Sequence, residues 1–124
     1  MATIKSYTSL EQSRKLAEIL PLESADMYYS KYDTIHANML YGPCDNEYFD
    51  IHEYIPCWSL AALLDILPDN YIDVDDTIKH PNLMKTEDGR YMIIYSAFQY
   101  TSLYSYPVNA CVEMIIKLKE RNLL

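Results

Sequence analysis

Residues 56–68 read Pro-Cys-Trp-Ser-Leu-Ala-Ala-Leu-Leu-Asp-Ile-Leu-Pro, and no other stretch limits the fold so tightly. Two prolines bracket it, and Ser59 or the residues just before it can cap a helix that Pro68 ends. The apolar residues of that helix fall on nearly every side, leaving only Ser59 and Asp65 to face water. A helix apolar all round must be covered on more than one side. It therefore crosses a core or lies in a subunit interface. Such a helix needs a chain able to cover it, and 124 residues suffice for one domain, 1–124, burying roughly two thirds of its unfolded surface.

The other elements follow from local signals. Ser9 with Gln12 three residues on forms a capping box, and Leu10, Leu16, Ala17 and Leu20 make the apolar stripe of a first helix that Pro21 stops. Glu11 with Lys15, and Arg14 with Glu18, are spaced to pair on its wet side. Residues 25–32 suit a strand or a short turn, and residues 35–41 a helix or an extended segment, before the break at Gly42-Pro43. Alternation over Tyr48–Ile55 predicts a strand, with Glu53 interrupting its apolar face. Asp88-Gly89 between apolar runs predicts a hairpin joining residues 84–85 to 90–97, and residues 98–104 add a further antiparallel strand. On the middle strand Tyr91, Ile93, Tyr95 and Ala97 share one face, opposite Met92, Ile94 and Ser96. Pro107 opens a last helix running to about Arg121, with Val108, Cys111, Val112, Ile115 and Leu118 as its buried stripe. This order predicts an α+β fold, with a short antiparallel sheet of three to five strands packed with about three helices. An α/β/α sandwich is one arrangement of those layers.

Three pieces of the chain, residues 16–27 (Leu-Ala-Glu-Ile-Leu-Pro-Leu-Glu-Ser-Ala-Asp-Met), 55–64 (Ile-Pro-Cys-Trp-Ser-Leu-Ala-Ala-Leu-Leu) and 107–115 (Pro-Val-Asn-Ala-Cys-Val-Glu-Met-Ile), carry a resemblance. Together they resemble a family of small proteins encoded by Bacteroides-type gut bacteria and their phages or mobile elements. The resemblance spans most of the chain and is weakest over residues 30–54. It implies no activity. A looser likeness to phage helix–sheet–helix sandwich proteins implies the α/β/α layering and no chemistry.

Charge and composition exclude several functions. Ten basic residues against 18 acidic leave a net charge of −8, which argues against a protein that binds nucleic acid by neutralising phosphates. Five of those acids lie between Asp65 and Asp76, so part of the charge belongs to one loop and short edge strand. An EF-hand started at Asp69 or Asp73 fails at its glycine and glutamate positions, and a solvated acidic loop is the better reading. Half the residues are apolar, too many for a disordered chain, yet no run is long enough to cross a bilayer. Met1–Lys5 leads into polar sequence, so no secretory signal is expected. Cys44, Cys57 and Cys111 are an odd, widely spaced set that suits free thiols and a cytoplasmic location.

For chemistry, His36, Cys44, His52 and Cys57 are weak candidates for a metal, because their spacings lack the short pairs that fix two ligands on one turn. With two glycines there is no phosphate cradle, and no motif marks a catalytic nucleophile, so neither a catalytic residue nor a cofactor is assigned. The 13 tyrosines exceed what one small core needs. Tyrosine carries a large apolar body with a polar tip, and Tyr48, His52, Tyr54, Trp58, Tyr91, Tyr95 and Tyr100 are the candidates for a binding face. The expectation is an acidic accessory protein, a homo-oligomer that binds a protein partner without direct nucleic-acid or membrane contact. The alternatives are a small-ligand or nucleotide binder or enzyme with a Tyr-lined pocket using His52 or His80, and an acidic nucleic-acid mimic or anti-defence inhibitor.

Overall fold

In a computed structural model of the chain, residues 5–29, 35–37, 54–72 and 76–124 are described. The α+β class holds: three α-helices accompany eight short strands, all paired antiparallel, among the described residues. The strands form three small sheets of three, two and three strands. Contacts divide the chain into two compact units, residues 7–62 on one side and residues 1–6 with 63–124 on the other.

In the unit of residues 7–62, helix α1 (Leu10–Ala17) starts with the expected capping box. Gln12 N–H donates to Ser9 Oγ at 3.1 Å, and Ser9 N–H donates to Gln12 Oε1 at 2.9 Å. The helix closes in a turn through Leu20, Pro21 prevents continuation, and a 3₁₀ turn covers Leu22–Ser24. The spaced pairs Glu11–Lys15 and Arg14–Glu18 are not closed; among the described residues the ion pairs are Arg90–Asp88 and Lys117–Glu113. Solvated side chains gain little by closing on an exposed face.

Strand β1 (Met27–Tyr29) lies between β2 (Ile35–Ala37) and β3 (Ile55–Cys57), with Met27 opposite Ala37 and Cys57. The strand expected over Tyr48–Ile55 lies mostly outside the described residues, as does the Gly42-Pro43 break. What is described begins later and runs through Pro56. Proline is admissible there because β3 is an edge strand, where a ladder donor is dispensable. Helix α1 packs on β3.

Helix α2 (Leu60–Ile66) is shorter than the bracketing prolines suggest, because Pro56 and Cys57 are taken into the sheet. Ser59 caps it, its Oγ accepting from Ala62 N–H at 3.2 Å. The boundary between the two units falls inside this helix, between Ala62 and Leu63. Leu63 is buried, whereas Ala61, Leu64 and Asp65 are exposed. The expectation that only Ser59 and Asp65 face water is therefore corrected.

In the other unit, β4 (Tyr71–Ile72) pairs with β5 (Ile78–Lys79), and β6 (Asn82–Lys85), β7 (Tyr91–Ser96) and β8 (Gln99–Tyr100) form a sheet in that order. The predicted hairpin joins β6 to β7. Gly89 N–H donates to Thr86 C=O at 3.0 Å and Gly89 sits at φ +82°, in the left-handed region. A Cβ there would meet nothing within 4 Å, so Gly89→Ala is expected to cost only the conformational term, about 1–2 kcal/mol. A urea titration read by circular dichroism measures it.

Between β7 and β8 the ladder slips: Ile94 faces Tyr100, and Ser96 faces Gln99. Helix α3 (Pro107–Glu120) has Pro107 at its first turn and packs across β7. The expected stripe of Val108, Cys111, Val112, Ile115 and Leu118 is buried, and Ala110 and Met114 are buried with it. This helix is covered over a wider arc than a single stripe.

Candidate functional site

The sequence candidates fall into three groups. Tyr48, His52 and Cys44 lie outside the described residues. His36 belongs to β2 by its backbone. The remaining candidates, Tyr54, Cys57, Trp58, His80, Tyr91, Tyr95 and Tyr100, have definite surroundings, and all but His80 and Tyr100 are buried or half-buried.

Trp58 is fully buried, and its indole N–H donates to Ser24 Oγ at 2.9 Å. It belongs to a polar knot centred on Thr8, which is also fully buried. Thr8 N–H donates to Trp58 C=O at 2.9 Å, and Trp58 N–H donates to Thr8 Oγ1 at 3.1 Å. Thr8 Oγ1 and Ser13 Oγ share a hydrogen bond at 2.7 Å, and Tyr29 OH donates to Thr8 C=O at 2.8 Å. Cys57 Sγ sits 3.5 Å from Thr8 Oγ1. Burial pushes the Cys57 thiol up, against the opposing hydroxyls of Thr8 and Ser13. Asp26 fastens the rim, accepting from Ser59 N–H at 2.9 Å and from the Ser59 hydroxyl. Each of these hydroxyls is engaged: those of Thr8, Ser13 and Tyr29 bond at or beside Thr8, and those of Ser24 and Ser59 bond to Trp58 and Asp26. Buried and engaged by Thr8, the Cys57 thiol has the surroundings of core packing rather than of an activated nucleophile. No group of His, Cys, Asp and Glu that could hold a metal occurs among the described residues. Tyr54 is half-buried and meets Tyr28 edge-to-face, with centroids 5.2 Å apart.

Tyr91, Tyr95 and Tyr100 share the sheet β6–β7–β8 but not a face. Tyr95 is buried, its ring 5.3 Å from that of Tyr71, and its hydroxyl donates to Pro68 C=O at 2.7 Å. Burial, with the Asp69 carboxylate adding to it, raises its pKa. Tyr91 is half-buried beneath Lys85, whose Nζ lies 5.8 Å from the ring centroid. Neither offers a free face to a partner. His80 stands on the exposed side of the unit with Nδ1 against Asp69 C=O.

Tyr100 points the other way. Along β8 and its continuation Gln99 and Thr101 are buried and Tyr100 is 51% exposed. Its cross-strand partner is Ile94, and Met92 on the same face of β7 pairs with Met84, itself 46% exposed. Phe98, in the turn between β7 and β8, is 62% exposed. The outer face of this sheet is thus an apolar strip of Met84, Met92, Ile94 and Tyr100 with Phe98 at one end. One end of β8 is held from behind: Lys117 Nζ donates to Tyr100 C=O at 2.9 Å and pairs with Glu113 at 3.4 Å. Glu113 also accepts from Tyr104 OH at 2.7 Å and Ser102 N–H at 3.0 Å. The Glu113 carboxylate pushes the Tyr104 hydroxyl up to about 12. Burial opposes ionisation of Glu113, yet its hydrogen bonds and Lys117 bring it below the usual range.

Tyr100 was the one candidate on this strip that residue type picked out; Met84, Met92, Ile94 and Phe98 were missed. A signal for them exists in the run Tyr91-Met92-Ile93-Ile94-Tyr95, which is apolar on both faces of a strand. Such a strand needs cover on two sides, and α3 supplies only one.

Among the described residues no helix is long and apolar enough to cross a membrane. Compared with protein-family models, curated proteins and solved structures, the chain matches none of them.

Proposed function

We propose that the chain is a self-associating protein-interaction module whose contact surface is the outer face of β6–β7–β8. The observation that carries this reading is the apolar strip of Met84, Met92, Ile94, Phe98 and Tyr100, in which Met84, Phe98 and Tyr100 stand in solvent beside half-buried Met92 and Ile94. Methionine and tyrosine suit such a role, the first by adapting its shape and the second by its low rotamer cost. Charge supports it as well. Residues 79–124 carry six basic and four acidic side chains, whereas residues 1–78 carry four basic and 14 acidic. The strip therefore lies in the part of the chain where acid does not dominate, and where a second acidic molecule meets least repulsion. The resemblance to small proteins of Bacteroides-type bacteria and their phages supplies a setting, an accessory protein of such an element.

Sedimentation velocity over a concentration series tests this reading. The native chain is expected to associate reversibly, and Tyr100→Lys combined with Met84→Lys is expected to weaken association by about tenfold or more, the loss of roughly 1.4 kcal/mol. Both positions are exposed, so the fold should survive with its circular dichroism unchanged. A native chain that stays monomeric at every concentration would count against the reading.

A further inference from the structure

We infer that β6 pairs antiparallel with β6 of a second copy, about a two-fold axis through Met84, joining two three-stranded sheets into one. This rests on the self-associating reading above and adds to it a contact at the sheet edge, which sets the two outer faces side by side rather than against each other. Strand β6 is an edge of its sheet and is exposed at all of its positions. The direction of its main-chain groups follows from its neighbours. Thr86 N–H donates inward to Arg90 C=O at 2.8 Å, so by ladder alternation Met84 and Asn82 also turn their main chain toward β7. From the other side, Tyr91 exchanges both main-chain bonds with Tyr104, at 2.7 and 2.8 Å. Ile93 gives its N–H to Thr101 Oγ1 at 3.0 Å and its C=O accepts from Thr101 N–H at 3.0 Å. Tyr91 and Ile93 therefore face away from β6, and their partners Lys85 and Leu83 face outward. Among the described residues this edge is unpaired, and it offers the N–H and C=O of Leu83 and Lys85.

An antiparallel partner must set outward groups opposite outward groups. Centring the two-fold on Met84 places Leu83 opposite Lys85 of the second copy, and all their outward groups are used. Centring it on Leu83 would set Lys85 opposite Pro81, which has no N–H to give. Centring it on Lys85 would oppose two lysines directly. The Met84 register alone is free of both defects.

Side chains and charge agree with a second copy as the occupant. Met84 meets its own counterpart in a pair without hydrogen bonds, where Cα atoms approach to about 4.5 Å and side chains are closest. Lys85, which would otherwise project along the edge, is folded over Tyr91 of its own sheet. Residues 79–90 hold three basic and two acidic side chains, a near balance in a chain of net charge −8, so the edge does not repel its own copy. Natural edges are usually guarded by charge or proline. Here Pro81 and Lys85 guard only the ends, and Leu83 between them is 38% exposed. Pairing would also make the two apolar outer faces continuous. Strands this short bury little, so the dimer belongs with interfaces below about 1,200 Å² and exchanges readily.

Disulfide trapping tests the register, with Cys44 replaced by serine so that the introduced thiol stands beside only the buried Cys57 and Cys111. Under mild oxidation Met84→Cys is expected to give a covalent dimer of twice the 14.5 kDa chain mass. Asn82→Cys shares its face but would place the two Cα atoms roughly 14 Å apart, beyond disulfide reach, and is expected to cross-link about tenfold less. In parallel, Leu83→Pro removes an N–H that the β6–β7 ladder does not use. By sedimentation it is expected to stay monomeric where the native chain associates. Equal cross-linking at positions 82 and 84, or association that persists in Leu83→Pro, overturns the edge pairing and leaves the broader reading standing. A native chain that is monomeric throughout overturns both. Should Leu83→Pro fail to fold, the cysteine pair decides alone.

Discussion

Trp58→Ala is expected to lower stability by about 3–5 kcal/mol, the range for deleting a large aromatic side chain from a close-packed core. Trp58 is fully buried, beside the buried Cys57, and its indole N–H is bonded to Ser24. A loss of that size is a large fraction of the roughly 5–15 kcal/mol that holds an ordinary domain together. With a urea slope of about 1–3 kcal/mol per molar, the midpoint should fall by about 2 M. Ser24→Ala supplies a graded comparison: it leaves the indole in place without its acceptor, and is expected to cost only about 1–3 kcal/mol. Circular dichroism must read both, since Trp58 is the only tryptophan and its fluorescence goes with it. A loss below about 1 kcal/mol for Trp58→Ala, with self-association abolished, would instead restore Trp58 as a surface contact residue.

The contrast between Trp58 and Ser9 shows what was legible in the sequence. The capping box of Ser9 and Gln12, the Asp88-Gly89 turn and the proline opening α3 are short-range devices, closed by residues within four positions of each other. Each was readable because its partners are adjacent in the chain. The polar knot was not, because Thr8 and Trp58 lie 50 residues apart and nothing near either announces the other. A Pro-Cys-Trp-Ser run looks locally like the entrance to a helix; pairing with Met27 and Tyr28 takes its first two residues into β3 and turns the indole inward. The same limit applies to the tyrosines. Composition gave their surplus, but which side of β7 or β8 each occupies depends on register and on the slip between Ile94 and Ser96. Tyr95 and Tyr100 are five residues apart, and one is core while the other stands in solvent.

The two buried thiols make the cooperativity of the fold measurable. Thiol reagents attack the thiolate, and burial pushes Cys111 up to about 12 and raises Cys57 as well. At pH 8 a group near 12 is roughly a thousandfold less ionised than an unfolded cysteine, before any loss of access is counted. Labelling of Cys111 should therefore be suppressed by at least that factor in the native chain, labelling of Cys57 should be suppressed as well, and both should appear only on unfolding. Cys57 belongs to the unit of residues 7–62 and Cys111 to the unit containing residues 63–124. Labelling at each urea concentration, quenched and read by mass spectrometry, follows the two units separately. The expected result is a single shared midpoint, as a single domain over residues 1–124 requires. Helix α2 gives the physical reason. Its Leu60–Ala62 turn belongs to one unit and Leu63–Ile66 to the other. A helix this short cannot stand on its own after losing either half, so melting one unit unravels the helical turn that belongs to the other. Trp58→Ala, in that case, should expose Cys111 as readily as Cys57 although Trp58 lies in the unit of Cys57. Separate midpoints, with the mutation moving Cys57 alone, would instead divide the chain into two domains at Ala62.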